Sequence, residues 1–379
     1  MSLKFGKLYD KKQIDFQGML YPTKAMIALL VPIVIEQLLN SFMGMVDTMM
    51  VSNVGSEAIS AVSLVDSINN LVIQVFSAMA TGAAIICSQY LGNRDENGCN
   101  RAARQVVLTV LTISLSIMVL GLCFRKPLLQ LTFGQIEPGV MEKAQVYFLI
   151  TVLSYPFLAL FNAGSAFFRA GGNSRFPMQV SVVCNLLNIA GNAVLIFGFQ
   201  MGVAGAALST LFSRALSAIV IFYYLRKPRQ VVVVKDYLQI RPDMPLIMKI
   251  LAIGVPAGIE NGMFQFGKLA IQSTVSTMGT VAIAAQAMAN ILEMVNGIFG
   301  VGVGIGLMTM VGQAIGAGRR EEAKFYVVRC TQIGLVGILV SCLLVLAATK
   351  PILWIAGMEA ESAAMCFDMV VAITIAKPL

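Results

Sequence analysis

Histidine is absent from this 379-residue sequence. That excludes a Ser-His-Asp triad, a histidine metal site and a histidine proton relay, so any proton chemistry must use carboxylates. Charge is scarce as well. Asp, Glu, Lys and Arg make up 12% of the chain, against about 25% in a soluble protein. The seven cysteines are odd in number and lack metal-ligand spacing, so free thiols are expected. No HExxH, GxSxG or clustered catalytic set occurs, and an enzyme is not expected. A cleavable signal peptide is not expected either. Residues 1–24 form a polar, Lys-rich arm, and the first apolar run is too long for an h-region.

What the chain does have is apolar surface: 58% hydrophobic residues and a mean hydropathy of +0.81. Ten hydrophobic segments lie near 25–51, 57–91, 103–124, 144–168, 177–198, 202–225, 246–276, 280–312, 326–348 and 361–379. Each reaches the roughly 20 residues that span a bilayer, the last barely. The expected fold class is therefore all-α integral membrane protein.

The net charge of +8 does not imply a nucleic-acid partner. With the N-terminus in the cytoplasm, 20 of the 27 Lys and Arg fall on the cytoplasmic side. Arg125, Lys126, Lys143 and Lys350 fall outside, and three lie within segments. That is the positive-inside pattern. It predicts a multi-pass protein of the plasma (bacterial inner) membrane, in contact with lipid and monomeric, whose arm is suited to an interfacial helix.

Residues 31–92 occur twice. VPIVIEQLLNSF through SQYLG is repeated as VPAGIENGMFQF through GQAIG at 255–316, an ungapped offset of 224 with 14 of 62 positions identical. Pro32, Glu36, Phe42, Gly55, Gln89 and Gly92 fall on Pro256, Glu260, Phe266, Gly279, Gln313 and Gly316. A repeat this long is no solenoid unit; it reads as two homologous halves, as in secondary transporters. Six segments precede the boundary, so both halves share one orientation, with an axis along the membrane normal. The expected organisation is an arm at 1–24, an N-terminal lobe of helices 1–6 at 25–226, a charged loop at 227–248 and a C-terminal lobe of helices 7–10 at 249–379. Pro156, midway along the fourth segment, corresponds to Pro378. By symmetry a complete chain is expected to have twelve helices and about 450 residues, and this one reads as truncated in its C-terminal lobe.

Ionisable residues at bilayer depth are costly, so each is a functional hypothesis. Glu36, Asn40 and Asp47 are spaced i, i+4, i+11 and share one helix face. Two acids and an amide on one stripe suit a cation or proton site; the alternative is structural hydrogen bonding or, for Asp47, an acid near a helix end reaching water. Ser63, Asp66, Asn70 and Ser77 form a second stripe, and Gln286, Asn290, Glu293 and Asn296 its counterpart. Both are expected to line a central substrate cavity, against the alternative of polar helix packing. Glu260 repeats Glu36, while Asp47 has no charged counterpart: its position is Ile271. Lys268 can pair with Glu260 or Glu293, or snorkel outward. The Gly300–Gly306 run lacks the Lys of a phosphate loop and reads as close helix packing or a bending helix.

Several motifs carry a family resemblance. PIVIEQLLNSFMGMVDTMMVSNVGSEAISAVS, FFRAGGNSRFP, NIAGNAVLIFG with GVAGAALST, SQYLGNRDENGCNRAARQ and GQAIGAGRREEAK occur in an order similar to that of the MATE (multidrug and toxic compound extrusion) transporters. The resemblance implies a twelve-helix fold of two six-helix lobes, of which ten helices are present here. It implies secondary active efflux of amphipathic, cationic, drug-like compounds in exchange for H⁺ or Na⁺, with no other cofactor. It assigns cation coupling, and any Na⁺ site, to Asp47; Asn188, Asn192, Glu36 and Asn40 are the polar neighbours expected to support it. Substrate contacts fall to Asp66, Asn70, Glu260, Lys268, Gln286, Asn290 and Glu293. Asn192 stands where some branches have Asp, and Phe264 where the NorM branch has its seventh-helix acid. The competing readings are a lipid-linked sugar flippase of a related two-lobe group and an inactive fragment of a transporter.

Overall fold

The computed structural model describes residues 9–133, 138–228, 230–234, 241–276, 280–355 and 360–376. Gly279 of the repeat, residues 1–8 of the arm and 377–379, including Pro378, lie outside them.

Twelve α-helices fall among the described residues: α1 (Thr23–Ser52), α2 (Ser56–Gly92), α3 (Glu96–Cys123), α4 (Arg125–Phe133), α5 (Pro138–Leu153), α6 (Tyr155–Ala170), α7 (Arg175–Asn192), α8 (Gly202–Leu225), α9 (Met244–Ser276), α10 (Thr280–Gly316), α11 (Arg320–Ile355) and α12 (Ala360–Ala376). The chain is an all-helical integral membrane protein. Among the described residues eight helices are long and apolar enough to cross a bilayer, nine if the pair α5–α6, bent by 42°, counts as one span. With α12, these match the ten expected segments. Large apolar side chains such as Leu120, Phe212, Ile219, Leu343 and Leu344 are exposed, as lipid-facing surface requires.

The fourth span breaks at Ser154, two residues before Pro156. Proline lacks the N–H that would continue the ladder, and its ring clashes with the preceding turn. At the break the Ser154 hydroxyl donates to the Thr151 carbonyl at 2.6 Å. The fifth span ends differently. After Asn192, α7 widens into a π-helical turn at Ala193–Gly198, a distortion frequent at functional sites.

The two copies of the repeat pack reciprocally. A Cβ on Gly92 would collide with the Gln313 carbonyl, and one on Gly316 with the Gln89 carbonyl. These residues are repeat equivalents, so α2 and α10 cross at a local twofold with backbones touching. Gly302 and Gly306 receive Val34 and Leu30 of α1, while Gly82 receives Ile250 and Gly254 of α9. The first helix of each half thus packs on the second helix of the other. Gly302 and Gly306 of the glycine run of α10 serve close packing, one of the two readings the run allows. The turn after each copy also repeats: Arg94 has φ 56° and its equivalent Gly318 has φ 74°.

The arm departs from the expected interfacial helix. Apart from a 3₁₀ turn at Lys11–Gln13, its described part is irregular and folds onto the start of α11. Leu20 N donates to Glu322 at 2.7 Å, Tyr21 N to the Tyr326 hydroxyl at 2.7 Å, and Arg319 to the Gly18 carbonyl at 2.6 Å. Tyr9 and Phe16 each meet the Phe325 ring edge-on. Burial pushes the Tyr21 hydroxyl up to about 12, so it stays protonated at physiological pH. The charged loop before α9 is likewise fastened. Gln105 of α3 donates to Arg241 O at 2.8 Å and accepts from Asp243 N, and Arg101 pairs with Asp243.

Candidate functional site

Asp47 sits five residues before the end of α1. Asn192, fully buried at the π-turn of α7, donates to its carboxylate at 2.6 Å. Asn188, one turn earlier, is satisfied with Nδ2 toward Asp47 at 2.9 Å and Oδ1 toward the Thr210 hydroxyl and amide of α8, both 3.2 Å. Two amides therefore hold one acid, and Thr210 of α8 holds Asn188 in turn. The Asn192 Oδ1 is buried without a hydrogen-bond partner. An orphan carbonyl oxygen on a residue already bonded to a carboxylate is an acceptor suited to a cation or a carboxyl proton.

A second acid lies close by. Asp66 of α2 accepts from Asn69 at 3.1 Å and from the Tyr147 hydroxyl of α5 at 3.4 Å. Asn69 is buried and accepts from Tyr155 of α6 at 2.7 Å. Arg214, one turn beyond Thr210 on α8, donates to Ser154 at 2.7 Å, and its charge acts on both Asp47 and Asp66. The cluster is assembled from α1, α2, α5, α6, α7 and α8, and each of its three charges keeps partial exposure. Two carboxylates and one guanidinium leave a formal charge of −1 when all are ionised.

The structure thus brings together Asp47, Asn188, Asn192 and Asp66. It keeps Glu36 and Asn40 apart from them. Glu36 is 3% exposed and pairs with Arg169 of α6 at 3.4 Å; eleven residues of helix, roughly 16 Å, separate it from Asp47. Asn40 accepts from Ser181 of α7 at 3.1 Å. Asn70 is exposed on α2. In the second half, Lys268 reaches Glu293 at 3.8 Å and lies 5.1 Å over the Phe264 ring. Glu260 and Asn290 are exposed and Gln286 is half-buried.

Thr210, Tyr147, Tyr155, Ser154 and Asn69 complete the site without having been singled out. Hydroxyls on apolar helices carry no sequence signature until the partner is known. Arg214 is different, because an arginine near the middle of a span carries the same signal as the acids. Asp368, exposed on α12, is a further carboxylate at bilayer depth that the same rule marks.

The MatE family model matches residues 32–194 and 256–376. The chain belongs to the MatE family. The two matched stretches begin at repeat-equivalent prolines, so the internal repeat is the family unit. A MatE protein is a transporter and not an enzyme. This chain is similar to an uncharacterized transporter, YisQ, of Bacillus subtilis, 30% identical over 309 residues, 80% of this chain and 67% of that one. It is similar to the probable multidrug resistance protein NorM of Thermotoga maritima, 27% identical, over 79% of this chain and 64% of that one. It is also similar to the multidrug export protein MepA of Staphylococcus aureus, 27% identical, over 69% of this chain and 58% of that one. The chain spans about two thirds or less of the length of these relatives. The fold is shared with an outward-facing multidrug resistance MATE transporter, TM-score 0.86 at 20% identity, covering 94% of this chain and 80% of that one. It is shared as well with a MATE in the straight conformation, TM-score 0.87 at 18% identity, covering 99% and 81%.

Proposed function

We propose that this MatE-family protein is an efflux antiporter of the plasma membrane, N-terminus inside, exporting amphipathic cationic compounds in exchange for H⁺ or Na⁺. The observation that carries this is the Asp47 cluster: one carboxylate, two amides and an unpartnered buried oxygen at Asn192. In water a carboxylate needs no such cradle. Inside a lobe the cradle hydrogen-bonds the acid and leaves a place for one cation.

The steps follow from charge. With Asp47 and Asp66 ionised, the formal −1 beside Arg214 attracts a cationic substrate. A proton or Na⁺ entering at Asp47 brings the cluster to neutrality and removes that attraction. Substrate and coupling ion therefore compete for the same charge, which is the condition for exchange. Asn192 offers its amide N–H to the ionised acid; turned over, it would offer Oδ1 to a protonated acid or to Na⁺. The π-turn at Ala193–Gly198 is a soft point where α7 can adjust between these arrangements. The glycine-lined crossing of α2 and α10 supplies the surface about which the halves would rock.

Chemistry at Asp66 separates the flippase reading from this one. A pyrophosphate carrier needs a cationic centre, whereas here acids outnumber the one guanidinium. The test is a reconstituted vesicle assay with a fluorescent lipophilic cation and independently imposed pH and Na⁺ gradients. Cation movement driven by either gradient supports the proposal; movement indifferent to both overturns it.

A further inference from the structure

Where the described part of the arm crosses the start of α11, it encloses a cavity of about 350 Å³. Tyr9, Phe16 and Met19 of the arm form one wall, and Val328, Arg329 and Gln332 of α11 form the other. Backbone bonds fasten the arm here: Asp10 N donates to Glu321, Leu20 N to Glu322 and Tyr21 N to Tyr326. Thr23, the first residue of α1, also borders the cavity. The space therefore lies between the first helix of one half and the third helix of the other.

One wall is charged. Arg329 stands nine residues into α11, about 14 Å along the axis from Arg320. It makes no ion pair within 4.0 Å among the described residues. Its described hydrogen bond goes from Nη1 to Gln332 Oε1 at 3.3 Å, which leaves donors open on the guanidinium and on the Gln332 amide. The carboxylates of this junction are engaged elsewhere. Glu321 holds Lys324 and Asp10 N, and Glu322 holds Leu20 N, Arg319 and Tyr326. Asp10 and Asp15 turn back on the arm's own Lys12 and Gln17 amides. Arg329 thus brings the cavity a positive charge that none of these acids pairs with.

Apolar surface runs on from the cavity. From Thr23, Ile27 and Val31 follow at i+4 and i+8 on the same face of α1; from Gln332, Val336 and Val340 follow likewise on α11. All four are about half exposed, and both stripes start at residues that border the cavity. A cationic polar end with an apolar trail is the complement of an anionic amphipath. In the orientation proposed above, the cavity faces the cytoplasmic leaflet, whose anionic lipids attract basic groups beside helix ends.

We propose that this cavity binds the headgroup of one anionic phospholipid, with its phosphate on Arg329 and the Gln332 amide and its acyl chains along the exposed stripes of α1 and α11. Guanidinium and phosphate match as a bidentate, charge-assisted pair. The bound lipid bridges the arm, α1 and α11, and so braces the two halves at this end of the molecule. Neither Asp47 nor Asp66 takes part, so the site stands apart from the exchange chemistry.

The test is native mass spectrometry of the full chain in detergent with equimolar phosphatidylglycerol and phosphatidylcholine of matched chains, alongside the unfolding temperature in each lipid alone. Phosphatidylcholine carries the same phosphate but cancels it with its own cation. One phosphatidylglycerol should be retained about tenfold in preference, the scale of one charge-assisted hydrogen bond, and should raise the unfolding temperature. Arg329→Gln should abolish the preference without lowering the unfolding temperature in phosphatidylcholine, and Arg329→Lys should keep part of it. Arg320→Gln, an exposed charge outside the cavity, should leave it intact. Equal retention of the two lipids by the unaltered protein overturns the inference. So does a preference that survives Arg329→Gln, or one lost equally in Arg320→Gln, which would make it a general pull of the basic face. Glycerol phosphate should not stabilise the protein; stabilisation equal to that by phosphatidylglycerol would make this a free-anion site and overturn the lipid assignment. If Arg329→Gln fails to fold, Arg329→Lys and the two-lipid comparison still decide.

Discussion

Glu36 and Arg169 form a buried ion pair at 3.4 Å that joins α1 to the last turn of α6. Next to it, Gln313 of α10 donates to the Ala170 carbonyl at 2.6 Å. The acid shared by both copies of the repeat is therefore tied into the junction of the two halves. Breaking a buried pair leaves an uncompensated charge, a loss of about 3–5 kcal/mol. Glu36→Ala is expected to lower thermal stability in detergent by that order. Ion dependence of any surviving transport should be unchanged. A stable Glu36→Ala protein with altered ion dependence would place coupling at Glu36 instead.

The reciprocal glycines set a steric limit. Gly92→Ala and Gly316→Ala each put a methyl group against the backbone of Gln313 or Gln89. Neither carbonyl can move without shifting a helix, so each substitution should force α2 and α10 apart at this crossing. Cross-linking between cysteines introduced on the two helices should fall in both variants. Undiminished cross-linking would contradict the close approach.

Arg94 holds φ 56° where its equivalent, Gly318, holds 74°. A left-handed conformation costs an L-residue roughly 1 kcal/mol or more, and glycine is free of that strain. Arg94→Gly should raise thermal stability by about 1 kcal/mol. A loss of stability would show that the arginine side chain does more for this turn than its backbone strain takes away.

Thr210 orients Asn188, which in turn faces Asp47. Thr210→Val keeps the shape and removes the hydroxyl. It should weaken coupling-ion affinity about tenfold, the scale of one hydrogen bond that orders a charged group, while Thr210→Ser restores it. The readout is the ion concentration giving half-maximal exchange; an unmoved value in Thr210→Val would remove Thr210 from the site.

The long helices were legible in the sequence because each is an apolar run, while the short α4, which opens with Arg125 and Lys126, was not. The glycine run of α10 was legible as close packing or a bending helix, and Gly302 and Gly306 meet Val34 and Leu30 of α1. The break at Ser154 left a trace in Pro156, but its use did not, since the Arg214 contact joins residues 60 positions apart. The described part of the arm left as little trace: its Lys content matches an interfacial helix, while its course is decided by Glu322, Phe325 and Tyr326, far along the chain. Asp47 with Asn188 and Asn192 came from family likeness and their polarity on apolar helices. Glu36 and Asn40 share a face with Asp47, yet a shared face of one helix spans several neighbours, and α6 and α7 take them separately.

The central claim is that Asp47 exchanges a coupling ion for substrate. It is tested most directly by counterflow in vesicles carrying the reconstituted protein or its Asp47→Asn variant. The amide keeps size and hydrogen bonding but loses charge. Exchange driven by an imposed H⁺ or Na⁺ gradient is expected to fall at least about hundredfold, a few kcal/mol of lost charge stabilisation. Ion-driven exchange by Asp47→Asn at the rate of the unaltered protein would contradict the account.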